Sequence, residues 1–211
     1  MSSIKNIIFD LGGVLLDIDY KKTTNAFIEL GVTDFDSMFS QFHSDALFTR
    51  LETGTISEAD FFERLRKTIP NPVTDAQLEA AWNALIMQFR IESLACLEQL
   101  ASRFNIYLLS NTNSIHLRYF RQSFTQETGR PNLDSYFQTA WYSHLVGLRK
   151  PEKEIYEFAL ADAGILASET LFIDDSINNI EAAAAIGIKT KLLLPNERIE
   201  NLEWNDDDKI F

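Results

Sequence analysis

The sequence predicts an α/β fold: a Rossmann-like, doubly wound parallel sheet core that carries an inserted all-helical cap subdomain. Two observations lead there. The first is a set of five short apolar segments bounded by turn residues: Ile4 to Phe9, Ile106 to Leu109, Thr139 to Tyr142, Thr170 to Ile173 and Lys189 to Leu194. Most are near-continuous in apolar character rather than alternating, the pattern of parallel strands covered by helices on both faces. Between them lie helical periodicities over Ile91 to Arg103, Glu152 to Ala163 and Ile177 to Ile186, each ending near a glycine, a proline or a polar turn. A chain in which strand and helix alternate this way builds a parallel sheet.

The second observation is the stretch from Tyr20 to Phe89, which lies between the first two strands and shows no strand pattern of its own. Its apolar residues, among them Phe27, Leu30, Phe39, Phe42, Phe61, Phe62, Leu65, Trp82, Leu85 and Phe89, recur at helical spacings. Ser57 is placed to cap a helix there, with Asp60 three residues on, and Gly54 marks the turn before it. At 211 residues the chain has room for one α/β domain and an insert but not for two large domains. The expected division is a core of residues 1–18 and 90–211 and a helical cap of residues 19–89. The phenylalanines of the insert are expected to form its own core rather than a dimer contact, and a monomer or homodimer is equally compatible with the sequence. The acidic end, Asn205 to Asp208, reads as a solvated tail.

Composition excludes several classes of partner. Apolar residues make up 45% of the chain and charged residues 24%, as in an ordinary globular protein. The net charge of −12 argues against nucleic acid and against an anionic membrane, since both would be repelled. The single cysteine, Cys96, can form no internal disulfide, and it has no zinc spacing with His43, His116 and His144. The apolar N-terminal stretch is interrupted by Asp10 and a glycine pair and reads as a strand, not a signal peptide. No apolar run is long enough to span a bilayer. A cytoplasmic protein is the expectation.

The chemistry lies at the ends of the strands. The first strand runs into Asp10, followed at once by Leu11-Gly12-Gly13, so a carboxylate stands where the chain turns tightly at the carboxyl end of a strand. In open α/β sheets ligands bind in that crevice. Alone, such an Asp is an ordinary turn residue. The fourth strand adds Asp174 and Asp175, adjacent carboxylates that repel unless a cation or hydrogen-bond donors relieve them. Carboxylates converging from two strand ends suit a hard, oxygen-liking ion such as Mg²⁺. After the second strand, Ser110-Asn111-Thr112-Asn113 offers small polar side chains and backbone N–H groups that can hold phosphate oxygens. After the third, Arg149 and Lys150 precede Pro151, which suits the first position of a helix. A lysine there can neutralise both Asp10 and a bound anion.

These four segments, in this order, resemble the haloacid dehalogenase superfamily over nearly the whole chain, and within it the subgroup of small sugar-phosphate phosphatases and the N-terminal phosphatase domain of soluble epoxide hydrolases. The resemblance implies a Mg²⁺-dependent phosphatase acting on a small phosphorylated metabolite, with Asp10 as the nucleophile that becomes an aspartyl-phosphate. It implies Asp10, the Gly12 carbonyl, Asp174 and Asp175 as metal ligands, Asp174 directly or through water. Ser110, the Asn111 N–H and Lys150 would bind the phosphate, Lys150 would orient the charges, and Asn178 or Asn179 would support the acidic loop. The insert would be the cap that chooses the substrate.

One position departs from the pattern. Phosphatases of this kind carry a second Asp two residues after the nucleophile as general acid, and this chain has Gly12. Leaving-group protonation must then come from elsewhere or be dispensable, which favours less basic leaving groups such as anomeric sugar phosphates. Asp17 and Asp19 read as hinge and helix-start residues. Other readings stay open: a metal-independent 2-haloacid dehalogenase, a phosphoryl-transfer mutase, and a non-catalytic metabolite-binding protein. Tyr156 is compatible with either hydrolase and is expected to pack its helix. In the insert, Arg50, Glu52, His43 and Arg90 are candidates to reach the substrate, Arg50 first because it lies close before Gly54.

Overall fold

A computed structural model of the chain, which describes residues 3–37, 39 and 46–204, is built around a five-stranded parallel sheet. In chain order the elements are β1 (Asn6–Phe9), β2 (Leu16–Ile18), α1 (Tyr20–Glu29), α2 (Leu47–Glu52), α3 (Glu58–Arg66), α4 (Asp75–Asn83), β3 (Ile86–Phe89), α5 (Ile91–Leu100), β4 (Asn105–Ser110), α6 (Ser114–Thr128), β5 (Thr139–Tyr142), the short α7 (Ser143–Val146), α8 (Lys153–Ala163), β6 (Thr170–Asp174), α9 (Ile177–Ala185) and β7 (Lys189–Leu192). The strand order is β5-β4-β1-β6-β7, with every pairing parallel. Phe9 pairs with Leu108 on one side and Ile173 on the other, so the carboxyl ends of β1, β4 and β6 lie side by side.

The apolar runs are near-continuous because the sheet is covered twice. Ile7, Phe9, Ile106, Leu108, Leu171 and Ile173 face a core built with α5 and α6. Ile8, Tyr107, Leu109 and Phe172 face the opposite core, built with α8 and α9. Successive strand residues therefore enter different cores, and neither face can be polar. All five predicted strands and all three predicted helices form, with no end shifted by more than three residues. The exposed-edge character of β7 explains its lysines and its half-burial.

The insert departs from expectation at its end. Ile86–Phe89 is a strand, β3, pairing antiparallel with β2. Its two buried residues, Ile86 and Phe89, stand three apart, a spacing that matches the helical template, but both face the main core as part of a short irregular ribbon. The ribbon is closed by Asp19 N–H to Leu85 O at 2.8 Å and Arg90 N–H to Leu15 O at 2.9 Å. The helix α6 is a further element absent from the predicted helices.

The insert's described helices are each ten residues or fewer and are not stable alone. They share a core of Phe27, Leu47, Leu51, Phe61, Leu65, Leu78 and Trp82, sealed by Ile115 of α6. The cap phenylalanines Phe27, Phe61 and Phe62 are thus internal, as expected, while Phe42 and the Asn205 to Asp208 stretch lie outside the described residues. Ser57 caps α3 through the Asp60 N–H, and Thr74 with Gln77 forms a capping box at α4.

The insert rests on the sheet domain at Gly54. This glycine has φ +68°, and a Cβ there would lie 2.3 Å from the backbone oxygen of His144 in α7. Gly129, at φ +70°, has the same strain with nothing within 4 Å. Gly129→Ala is therefore expected to cost about 1 kcal/mol, the left-handed penalty alone, and Gly54→Ala about 2–4 kcal/mol because backbone must also move. Urea unfolding of both variants checks this; equal losses would contradict the close approach.

Candidate active site

Asp10 lies directly after β1, with β4 and β5 to one side and β6 and β7 to the other, at the point where the sheet's winding reverses. Its N–H continues the ladder to Ile173 O at 2.9 Å, which fixes its position against the end of β6. The Nζ of Lys150 stands 2.7 Å from Asp10 Oδ1 and 2.7 Å from Asp174 Oδ2. All three groups are buried, Lys150 to 1% and Asp174 to 0% exposure. An unpaired ammonium at that depth would lose its proton; two carboxylates in contact keep it charged.

Each member is held by neighbours. Asn111 clamps the Lys150 backbone from both sides, its Nδ2 donating to Lys150 O at 2.8 Å and its Oδ1 accepting from Lys150 N at 2.9 Å. The Lys150–Pro151 peptide is cis, and the helix that follows starts only at Lys153, with Glu152 as its N-cap residue. Pro151 therefore does not take the first helical position: it shapes the turn that returns Lys150 to the sheet. Asp174 accepts from the Ser176 N–H at 2.8 Å and from Asn179 Nδ2 at 3.0 and 3.1 Å, besides Lys150. Asn179 rather than Asn178 supports the acidic loop. Tyr156 is fully buried against Phe172 and donates to Asn179 O at 3.1 Å, a packing residue as expected.

Asp175 stays exposed and turns over the first loop. A Cβ on Gly13 would fall 2.0 Å from Asp175 Oδ2, and Gly13 has φ +72°, so only glycine admits this approach. Carboxylate oxygens of Asp10, Asp174 and Asp175 lie within 4.8 Å of one another. Burial pushes Asp10 up to about 7, with Lys150 opposing the rise and Asp174 and Asp175 adding to it. Partial loss of water around its carboxylate, and then the charge of Asp174, raise Asp175. Burial alone would lower Lys150, but Asp10 and Asp174 more than offset it and hold it above the usual lysine range. Three carboxylates against one ammonium leave an excess of negative charge, and an all-oxygen cluster of this kind fits a hard divalent cation.

Ser110, buried at the end of β4, and Asn111 line the same cavity as Asp10, Gly12, Lys150 and Asp175, a space of about 750 Å³ that continues under the insert. The family model described as haloacid dehalogenase-like hydrolase matches residues 4–187. The chain belongs to the haloacid dehalogenase-like hydrolase family. Among curated relatives, D-ribitol-5-phosphate phosphatase of Bacteroides thetaiotaomicron is 34% identical over 187 residues, covering 89% of this chain and 90% of that protein. A crystal structure of a family enzyme from the same organism, in complex with magnesium and inorganic phosphate, is 34% identical with a TM-score of 0.84, covering 96% of this chain and 98% of that one. L-2-haloacid dehalogenase of Xanthobacter autotrophicus shares the fold at 19% identity and a TM-score of 0.60, covering 90% of this chain and 77% of that one.

Within this family member the insert's candidates separate. Glu52 lines the cavity, but its carboxylate is 2.9 Å from Arg149 Nε, and Arg149 Nη1 also reaches Thr49 Oγ1 at 3.1 Å. Arg90 does not point to the substrate space: its Nε pairs with Asp17 at 2.7 Å and its Nη1 donates to Val14 O at 3.0 Å, which locks the ribbon. Asp17 lies in β2 and pairs with Arg90 across the ribbon, and Asp19 caps α1 through the Lys21 N–H. Arg50 is not among the described lining residues, and His43 lies outside the described residues. Gly12 lines the cavity, and a Cβ there would meet the Cδ1 end of the Ile18 side chain at 3.3 Å, a tight contact with an apolar group.

Sequence reasoning did not single out Tyr20, Trp82 or His116 as lining residues. Tyr20 alone carried a local signal, as the first residue after the hinge. His116 stacks on Trp82 at 5.2 Å and bonds Trp82 O through Nε2 at 3.1 Å, so Nε2 carries the proton and Nδ1 accepts from Asn113 Nδ2. Burial lowers His116 to about 4. The unfolded chain, with its histidine near 6.5, binds a proton that the folded state refuses, so stability is full above about 6.5 and falls as pH drops toward 4. Wild type is expected to lose about 1–3 kcal/mol more than His116→Gln between pH 7 and 4 in urea unfolding. Parallel pH profiles would contradict the buried neutral imidazole.

Proposed function

We propose that this haloacid dehalogenase-like hydrolase is a Mg²⁺-dependent phosphatase of small phosphomonoesters that works through an aspartyl-phosphate on Asp10. The observation that carries the reading is the Lys150 ammonium, 2.7 Å from both Asp10 and Asp174, inside a cluster completed by Asp175. The relatives that act on phosphate esters and the one solved with magnesium and phosphate support it.

Asp10, the Gly12 carbonyl and Asp175 would hold Mg²⁺. Asp174 stands behind them, its oxygens engaged by Lys150, Ser176 and Asn179, and would reach the ion through water. When bound, the ion neutralises charge on the phosphoryl oxygens. Ser110, the Asn111 N–H and Lys150 fix the phosphate so that Asp10 faces phosphorus in line. A carboxylate oxygen of Asp10 attacks, the P–O bond to the leaving group breaks, and the leaving oxygen departs with the electron pair and takes up a proton. Water then attacks phosphorus, the acyl phosphate P–O bond breaks, and Asp10 returns to its carboxylate with release of inorganic phosphate.

The cap of residues 19–89, carried on the β2–β3 ribbon, closes over this chemistry and excludes bulk water. With Gly12 packed by Ile18, the leaving group receives no proton from that position, which favours anomeric phosphates over alkyl ones. A dehalogenase reading leaves Asp175, aimed over Gly13 into the cluster, with no role, and a non-catalytic reading leaves the same complete set unused. The free, buried Cys96 is compatible with the reducing cytoplasm.

Steady-state hydrolysis of an aryl phosphate, an aldose 1-phosphate and ribitol 5-phosphate, with and without Mg²⁺, tests the reading. Phosphate release is expected to require Mg²⁺ and to fall at least about a thousandfold in Asp10→Asn. Halide release from 2-haloacids with no phosphatase activity would overturn it. Ribitol 5-phosphate turned over as fast as the anomeric ester would remove the leaving-group preference alone.

A further inference from the structure

The cavity has two unlike parts. Its floor is the charged cluster around Asp10. Its upper wall is largely aromatic: Phe39 and Phe48 approach at 4.8 Å between ring centres, and Phe48 stacks on Trp82 at 5.3 Å with an interplanar angle of 18°. Tyr20, Thr23, Thr24 and Thr49, each carrying a hydroxyl, also line the cavity.

The positive charge on the described lining residues is already matched. The cations are Lys150 and Arg149. Lys150 is held between Asp10 and Asp174, and the charge of Arg149 is matched by Glu52, whose carboxylate stands 2.9 Å from Arg149 Nε. Beyond the floor the wall carries two carboxylates, Asp36 and Glu52, against the single cation Arg149. Residues 38 and 40–45, beside Phe39 in the chain, contain no lysine or arginine. A second anionic group on a substrate would therefore leave water for a wall whose described residues offer it ring faces, hydroxyls and net negative charge, with no unmatched lysine or arginine among them.

We propose that this cavity selects monophosphates whose body is uncharged, a polyol, sugar or apolar alcohol lying against the Phe39–Phe48–Trp82 wall, and rejects phosphate esters that carry a second phosphate or a carboxylate. The proposal rests on the phosphatase reading and adds the substrate class. The ion pair between Glu52 and Arg149 is its specificity element: while Glu52 neutralises the guanidinium, Arg149 offers a second anion no net attraction.

The experiment compares kcat/KM, with Mg²⁺ present and an aryl phosphate as reference, for two matched pairs: sorbitol 6-phosphate against 6-phosphogluconate, and glucose 1-phosphate against glucose 1,6-bisphosphate. The anionic member of each pair is expected to be at least about tenfold poorer, mainly through KM. In Glu52→Gln, with Arg149 released, the gap is expected to narrow by about fivefold or more. Equal kcat/KM within both wild-type pairs, with aryl phosphate still hydrolysed, would overturn the proposal and leave the phosphatase reading standing. A gap unchanged in Glu52→Gln would overturn the role given to that ion pair. Absence of hydrolysis of any phosphate, aryl phosphate included, would overturn both readings.

Discussion

The buried ammonium of Lys150 between Asp10 and Asp174 is the constraint on which the rest of the structure depends. Taking such a group out of water costs several kcal/mol, and removing one partner of a buried pair typically costs about 3–5 kcal/mol. The lysine therefore stays only where two carboxylates meet it, and that requires β1 and β6 to be neighbours with their ends level. It also requires a chain segment from the far side of β4 to come back to the centre. The turn at Pro151 and the Asn111 clamp return it, while Asn179 and the Ser176 N–H fix the opposite carboxylate. Asp175, outside that network, is left free to face the first loop across Gly13.

This arrangement explains why the catalytic floor is legible in sequence while the cavity above it is not. Asp10, Ser110, Asp174 and Asp175 sit at or next to strand ends, and the strands announce themselves because both faces are buried and nearly every residue is apolar. A polar residue that terminates such a run is conspicuous. The β2–β3 ribbon carries no comparable signal. It is short and irregular, and its inward residues Ile86 and Phe89 stand at a helical spacing. Pro151 reads as a helix start from local preference, and only the demand that Lys150 reach the sheet makes it a turn residue instead. The Asn111 side chain shows the same limit: its role depends on Lys150, distant in the chain and adjacent only in the fold.

Above the floor, position is set by packing between elements. Trp82 belongs to α4 and His116 to α6, yet they stack and share a hydrogen bond, joining the insert to the sheet domain beside the cavity. Arg90 and Asp17 lock the ribbon below, and Arg149 meets Glu52 across the mouth, one residue from Lys150. These contacts join the insert to the strand-end loops around Asp10 and Lys150. Arg149 thus ties the insert to the segment that carries Lys150 through a single adjacent residue.

The most direct test of the account is acid-quenched mass spectrometry of the peptide containing Asp10, taken during turnover of an aryl phosphate with Mg²⁺. The account predicts a phosphoryl adduct on that peptide in the wild type, none in Asp10→Asn, and a strongly reduced amount in Lys150→Met, whose carboxylates have lost their shared cation. Phosphate release at the full rate with no adduct on Asp10, or an adduct carried by another residue, would contradict it.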